Sequence, residues 1–127
     1  MGEERRGPGL LGRLGRVGLA AIFIRSGFEV ATEPGQRVAK VEAVGIPQPE
    51  LATRLNGAAM VAAGTALAVG IRPRQSALVL LALLIPTTLV GHQFWNEEGA
   101  ARTQQEIHAL KNLGLAGGLL TVAAAER

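Results

Sequence analysis

Residues 75–96 carry no formal charge. About twenty apolar residues in a helix span the ~30 Å hydrocarbon core of a bilayer, and this run has that length and purity. Pro86 lies inside it, where it removes the bond to the Ala82 carbonyl and predicts a kink. Thr87 and Thr88 follow directly and can re-satisfy backbone groups there. Phe94-Trp95 closes the segment as an interfacial aromatic pair, with Trp95 as the anchor. A chain of 127 residues is one domain at most and could still enclose a modest soluble core, so composition has to decide. Apolar residues make up 48% before the 17 glycines are counted. With them the share is roughly three-fifths, against about 45–50% for an ordinary soluble domain.

Three further segments fit the same solvent. Residues 14–31 read as a first span, with Arg16 at one end and Arg25 and Glu29, four apart, near the other. Residues 50–70 read as a second, opened by Pro49-Glu50, with no charge between Arg54 and Arg72. Its small residues, Gly57, Ala58, Ala62, Gly64, Ala66 and Ala68, would let helix backbones approach closely in lipid. Residues 101–125 read as the last span, entering lipid near Leu110 and offering Gly114-x-x-x-Gly118 as a packing face. In the first loop Val38, Val41 and Val44 recur at i, i+3 and i+6 while Arg37, Lys40 and Glu42 point elsewhere. That pattern predicts a short amphipathic helix on the membrane surface, capped by Gly45 and stopped by Pro47. Residues 1–13 read as a flexible tail. The expectation is an all-α protein: a four-helix transmembrane bundle (about 14–31, 50–70, 75–95 and 101–125) with a short amphipathic surface helix in the first loop.

Several function classes are excluded. Gly7-Pro8-Gly9-Leu10-Leu11-Gly12 spells G-x-G-x-x-G, but no strand precedes it and no acidic residue follows at the distance a dinucleotide site needs. Arg5-Arg6 is followed by Gly-Pro-Gly rather than the apolar stretch of a twin-arginine signal, and Arg25 breaks the run a secretory signal would need. The net charge of +3 is scattered between apolar runs, leaving no basic face for nucleic acid. There is no cysteine, so the chain has no thiol chemistry of its own.

Four spans place Arg5, Arg6, Arg13, Arg16, Arg72, Arg74 and Arg127 on one side and Arg37, Lys40, Arg54, Arg102 and Lys111 on the other, with most of the acids. The bias favours both termini inside. The same topology gathers Arg25 and Glu29, Arg54 and Asn56, His92, and His108, Lys111 and Asn112 into the outer leaflet. Ionisable residues at such depth tend to face the bundle interior and pair, which predicts a polar pocket opening outward. Arg54-Leu55-Asn56-Gly57 and Lys111-Asn112-Leu113-Gly114 echo each other, as two hairpins related by an axis along the membrane normal would.

The same residues carry a family resemblance. Gly91-His92-Gln93-Phe94-Trp95-Asn96, then Gln104-Gln105-x-Ile107-His108-x-Leu110-Lys111-Asn112-Leu113 and Gly117-Gly118-Leu119-Leu120, resemble the C-terminal half of the DoxX family of small bacterial membrane proteins. Arg54-Leu55-Asn56-Gly57-Ala58, Pro73-Arg74 and Pro86-Thr87-Thr88-Leu89 resemble its actinobacterial branch. The resemblance implies four transmembrane helices and an association with redox chemistry. Relatives are linked to thiosulfate:quinone oxidoreduction or to membrane complexes containing superoxide dismutase and a sulfurtransferase. It implies no catalytic residue. Many relatives carry an acidic residue near the start of the second span, where this chain has Asn56.

The leading expectation is an accessory subunit in membrane redox homeostasis, with a quinone or lipid pocket lined by Arg25, Asn56, His92, Lys111 and Asn112. His92 could bond a quinone carbonyl or relay a proton, or simply bond to a backbone carbonyl or the last helix. Lys111 and Asn112 could hold an anionic or carbonyl group, or Asn112 could bond to Asn56 or His92 and fix the bundle. A haem between His92 and His108 is disfavoured, because two histidines alone are a poor signature. No metal-ligand spacing occurs. His108 is placed with Trp95 at the membrane surface, outside the site. A redox partner protein would supply the sulfur or thiol step; homo-oligomerisation is left open. The alternatives are a structural or assembly protein of the cell membrane and a small solute or proton carrier. Whether the chain is an enzyme stays undecided.

Overall fold

The computed structural model describes residues 9–125. The Arg5-Arg6 pair, most of the predicted tail and Arg127 lie outside them. Five α-helices and one 3-10 turn succeed one another, with no strand among the described residues.

α1 (Leu10–Thr32) begins at Leu10 rather than at residue 14, so residues 10–13 are helix and not tail. Gly9 is its N-cap, and the Gly9 carbonyl accepts the Arg13 amide at 3.1 Å. α2 (Arg37–Ala43) is the predicted short helix of the first loop. Gly45, at φ +83, ends it, and its amide donates to the Glu42 carbonyl at 2.9 Å. Val38 and Val41 are half-buried, while Val44 is exposed. Instead of lying apart from the bundle, α2 rests against α3 (Pro49–Val69) and α4 (Pro73–Gly91).

α3 and α4 start alike. Each has proline at its first turn, preceded by a residue in the left-handed region: Gln48 at φ 49 and Arg72 at φ 41. Proline supplies the fixed φ and lacks only an amide that would be unpaired there in any case. The turn between them is closed by Gly70 at φ +80, with the Ile71 amide donating to the Ala66 carbonyl at 2.8 Å. That geometry is a Schellman ending, for which glycine is the natural residue.

α4 runs through Pro86 and ends at Gly91, so the helix expected to reach residue 95 stops four residues earlier. Its last carbonyls are taken up locally. The His92 amide donates to Thr88 O at 3.0 Å, and the Gln93 side chain donates to Leu89 O at 3.0 Å. Phe94–Asn96 forms the 3-10 turn, where Phe94 and Trp95 meet edge to face with centroids 5.2 Å apart. α5 (Gly99–Ala125) completes the chain.

The long helices alternate in direction, α1 packing mainly on α3, and α4 on α5, with α3 joining the two pairs through α4. α1 and α5 touch only sparsely. The crossing of α1 and α3 is set by two glycines: a Cβ at Gly27 would lie 2.7 Å from Gly57 O, and one at Gly57 would lie 2.6 Å from Gly27 O. Gly114-x-x-x-Gly118 does not repeat this on α5. Gly114 has nothing within 4 Å of a built Cβ, and only Gly118 meets a neighbour, Leu19 at 3.4 Å. Phe23, Leu67, Leu80 and Leu119 are fully buried; Leu67, Leu80 and Leu119 fill the half of the bundle remote from α2, and Phe23 lies between that half and the α2 end.

Outward, the surface is apolar. Leu14, Phe28, Leu55, Val69, Ile85, Leu89, Ile107, Leu110 and Leu113 are all more than half exposed. So much contiguous apolar area is rare on a soluble monomer and marks contact with a membrane or a partner. Two of the four expected spans, residues Pro73–Asn96 and Gly99–Ala125, are long and apolar enough to cross a membrane.

Candidate functional site

Helix ends decide what gathers near α2. α1 finishes there, α3 begins there, α4 finishes and α5 begins, so the polar ends of four otherwise apolar helices converge. Between them lies a cavity of about 740 Å³, lined by residues of all five helices. Ligand pockets commonly enclose about 300–1,000 Å³.

The cavity has three levels. Its floor is apolar: Ile22 and Phe23 of α1, Met60 of α3, Leu84 of α4 and Leu115 of α5. Above the floor, two asparagines approach α4 from opposite neighbours. Asn56 Nδ2 donates to Thr87 Oγ1 at 3.2 Å, and Thr87 Oγ1 donates onward to the Leu83 carbonyl at 2.7 Å. Asn112, which is buried, donates to Thr88 Oγ1 at 2.9 Å, and Thr88 donates to the Leu84 carbonyl at 2.8 Å. Both relays sit just past Pro86. Asn112 thus bonds neither to Asn56 nor to His92; consecutive threonines on α4 point to α3 and α5 and separate the two amides.

The top level holds the ring and cationic groups. His92 Nδ1 lies 2.8 Å from Gln105 Oε1, and the His92 and His108 rings stack with centroids 5.0 Å apart and planes at 17°. With Gln105 as acceptor the His92 proton sits on Nδ1, leaving Nε2 as an acceptor. The rings meet face to face, whereas the two axial histidines of one haem approach iron by their edges from opposite sides, so this pair is not a haem clamp. Among the described residues no group of three or more His, Cys, Asp or Glu could hold a metal ion.

α2 closes the top. Lys40 Nζ donates to the Gly91 carbonyl at 3.1 Å, joining α2 to the last turn of α4. Arg37 pairs with Glu29 at 3.3 Å, and Glu29 also pairs with Arg25 at 3.2 Å. Arg54 supports the opposite wall by donating to the Ala31 carbonyl at 2.7 Å, at the C-terminal end of α1, while pairing with Glu50 at 3.1 Å.

Four of the five residues proposed from sequence therefore line one cavity: Asn56, His92, Lys111 and Asn112. Arg25 does not join them. Its side chain is 74% exposed on the outer face of α1, and Ser26 and Val30 face the cavity in its place. His108, set aside as a surface residue, lines the cavity, as do Arg37, Lys40, Gln104 and Gln105. The signal for His108 was present: positions 108, 111 and 112 are i, i+3 and i+4 on one helix face. Arg37 and Lys40 carried none, because their placement depends on how a seven-residue helix folds back over the bundle.

A sequence model of the DoxX family matches residues 12–93. That stretch ends before α5, where the motif resemblance is most detailed. The inner membrane protein YphA of Escherichia coli is 27% identical over 110 residues, covering 87% of this chain and 79% of YphA. No solved structure matches.

Proposed function

The chain belongs to the DoxX family of membrane proteins, and from that premise we propose that it is a four-span protein whose polar-ended cavity holds one lipid-soluble ligand, a quinone or a lipid. At ~1.5 Å per residue α1 and α3 are about 35 and 31 Å long, enough to cross a ~30 Å core beside α4 and α5. Their glycine crossing suits close packing in lipid. The uneven distribution of Lys and Arg supports both termini in the cytoplasm. The chain then acts as an accessory subunit in membrane redox homeostasis, presenting the ligand to a partner that supplies sulfur or thiol chemistry.

One observation carries this reading: the 740 Å³ cavity has an apolar floor and a polar upper level, the profile an amphiphile needs. The test is solvent extraction and mass spectrometry of the protein purified in mild detergent. One retained quinone or lipid per chain, diminished in a His92→Ala variant that still folds, is expected. Absence of any retained amphiphile from the folded protein would overturn the reading.

A structural or assembly role is favoured by a different observation. The Asn56 and Asn112 amides already donate within the bundle, to Thr87 and Thr88. If locking helices is their whole purpose, their variants will unfold while the His92 variant stays silent in every ligand assay.

A further inference from the structure

The charge of the cavity lining is one-sided. Arg37, Lys40 and Lys111 line it together with His92 and His108, and no Asp or Glu does. Glu29 pairs with Arg25 and Arg37 from the outer face of α1, so Arg37 already has one counter-charge, and Glu106 pairs with Arg102 at 3.1 Å. Lys111 makes no hydrogen bond or ion pair among the described residues. It is exposed, next to the buried Asn112 and level with the last turn of α4, and a cation at the edge of the hydrocarbon favours a counter-charge.

Residues of α1 (Ile22, Ser26) and of α5 (Lys111, Leu115) line the cavity together, and α1 and α5 touch only sparsely. A chain attached to a bound headgroup has this seam as its way out to the bilayer.

We propose that the cavity binds the phosphate headgroup of an anionic lipid through Lys111, Arg37 and Lys40, with its hydrocarbon chain leaving between α1 and α5. This rests on the reading of the cavity as a ligand site and narrows it: a neutral quinone needs one or two donors, whereas three cations line this cavity against one carboxylate, Glu29, which pairs with Arg37 from outside it. Phosphate oxygens accept from ammonium and guanidinium donors in charge-assisted bonds. Basic pockets between membrane helices are a recurring way of holding such headgroups.

The test uses the full chain in nanodiscs of phosphatidylcholine with a minority of phosphatidylglycerol, followed by native mass spectrometry of the lipid retained after release. One phosphatidylglycerol per chain is expected. Lys111→Met should lower its occupancy about tenfold, while Lys111→Arg keeps it and Arg25→Gln, outside the cavity, leaves it unchanged. Thermal stability in lipid-free detergent, measured in parallel, separates loss of binding from loss of fold. Equal retention in Lys111→Met and the parent chain, or loss in Arg25→Gln equal to that in Lys111→Met, would overturn the inference. Retention of a quinone or phosphatidylcholine in preference to phosphatidylglycerol would overturn the headgroup assignment and leave the ligand pocket standing. No retained amphiphile would remove both. Millimolar inorganic phosphate should not displace the lipid; if phosphate binds the detergent-solubilised chain and lipid does not, the site reads a free oxyanion and the lipid assignment fails.

Discussion

Replacing Gly57 by alanine tests the α1–α3 crossing most directly. The added methyl would sit 2.5 Å from the Ala31 amide nitrogen and 2.6 Å from the Gly27 carbonyl oxygen. Ordinary heavy-atom contacts lie at ~3.5–4.0 Å, so the helices must part by roughly 1 Å. Both obstacles are backbone, and no side-chain rotation relieves them. A gap of that size forfeits about a quarter to a half of each dispersion contact along the interface. Overpacking in general costs ~1–3 kcal/mol, and a backbone clash on the most extensive helix interface belongs at the upper end, about 2–3 kcal/mol. Gly27→Ala should behave alike, since its Cβ would meet Gly57 O at 2.7 Å and Met60 Cβ at 2.8 Å. Gly64→Ala should cost less, because the atom it meets at 3.0 Å is Ile24 Cγ1, which can move. Gly114→Ala, with nothing within 4 Å, should be neutral or gain up to ~1 kcal/mol of helix propensity. The assay is the heating midpoint of detergent-solubilised protein read by gel filtration. A Gly57→Ala midpoint equal to or above that of Gly114→Ala would refute the crossing as described.

Three other outcomes can be checked. A double-mutant cycle of Asn112→Ala with Thr88→Val should give a coupling of about 0.6–2 kcal/mol in the same assay, the range for interhelical hydrogen bonds in membranes; a coupling near zero would mean the two side chains do not bond. Lys40→Met leaves the Gly91 carbonyl without its ammonium partner, so hydrogen exchange should rise in residues 37–43 and 89–92, and unchanged protection there would detach α2 from the argument. Because the chain has no cysteine, Arg72→Cys and Glu98→Cys can be labelled without background. The four-span reading expects an impermeant reagent to reach them from opposite sides, and labelling of both from one side would break it.

Much of the fold was legible because apolar periodicity and helix-stop signals are local. The segments around Pro49, Gly70 and Pro73 lie where proline and glycine put them, and the valine spacing of the first loop marked α2. The boundaries that moved are those that tertiary contacts set: α4 stops at Gly91, where Lys40, Gln93 and the His92 amide take up its last carbonyls. Asn56, His92, Lys111 and Asn112, which line one cavity, could be grouped from sequence because polar groups at the ends of spanning segments are costly to leave in lipid. Arg25 was misplaced because depth along a helix does not give the direction a side chain faces. The partners of Asn56 and Asn112 could not be read either, since adjacent threonines on one helix diverge by ~100°, a rotation that becomes meaningful only once α3 and α5 have taken opposite sides of α4.

That divergence also bears on how the protein is made. On the four-span reading, Thr87 follows Asn56 in the chain, whereas Thr88 precedes Asn112. Asn56 therefore enters hydrocarbon before its acceptor has been synthesised, and Asn112 arrives to find its acceptor already in the membrane. A nascent chain halted after Arg72 should be cleared by membrane proteases faster than one halted after Gly91, and equal lifetimes would contradict this. Synthesis order gives the two amides unequal roles: one holds the unfinished bundle open to α4, and the other secures the last helix on arrival.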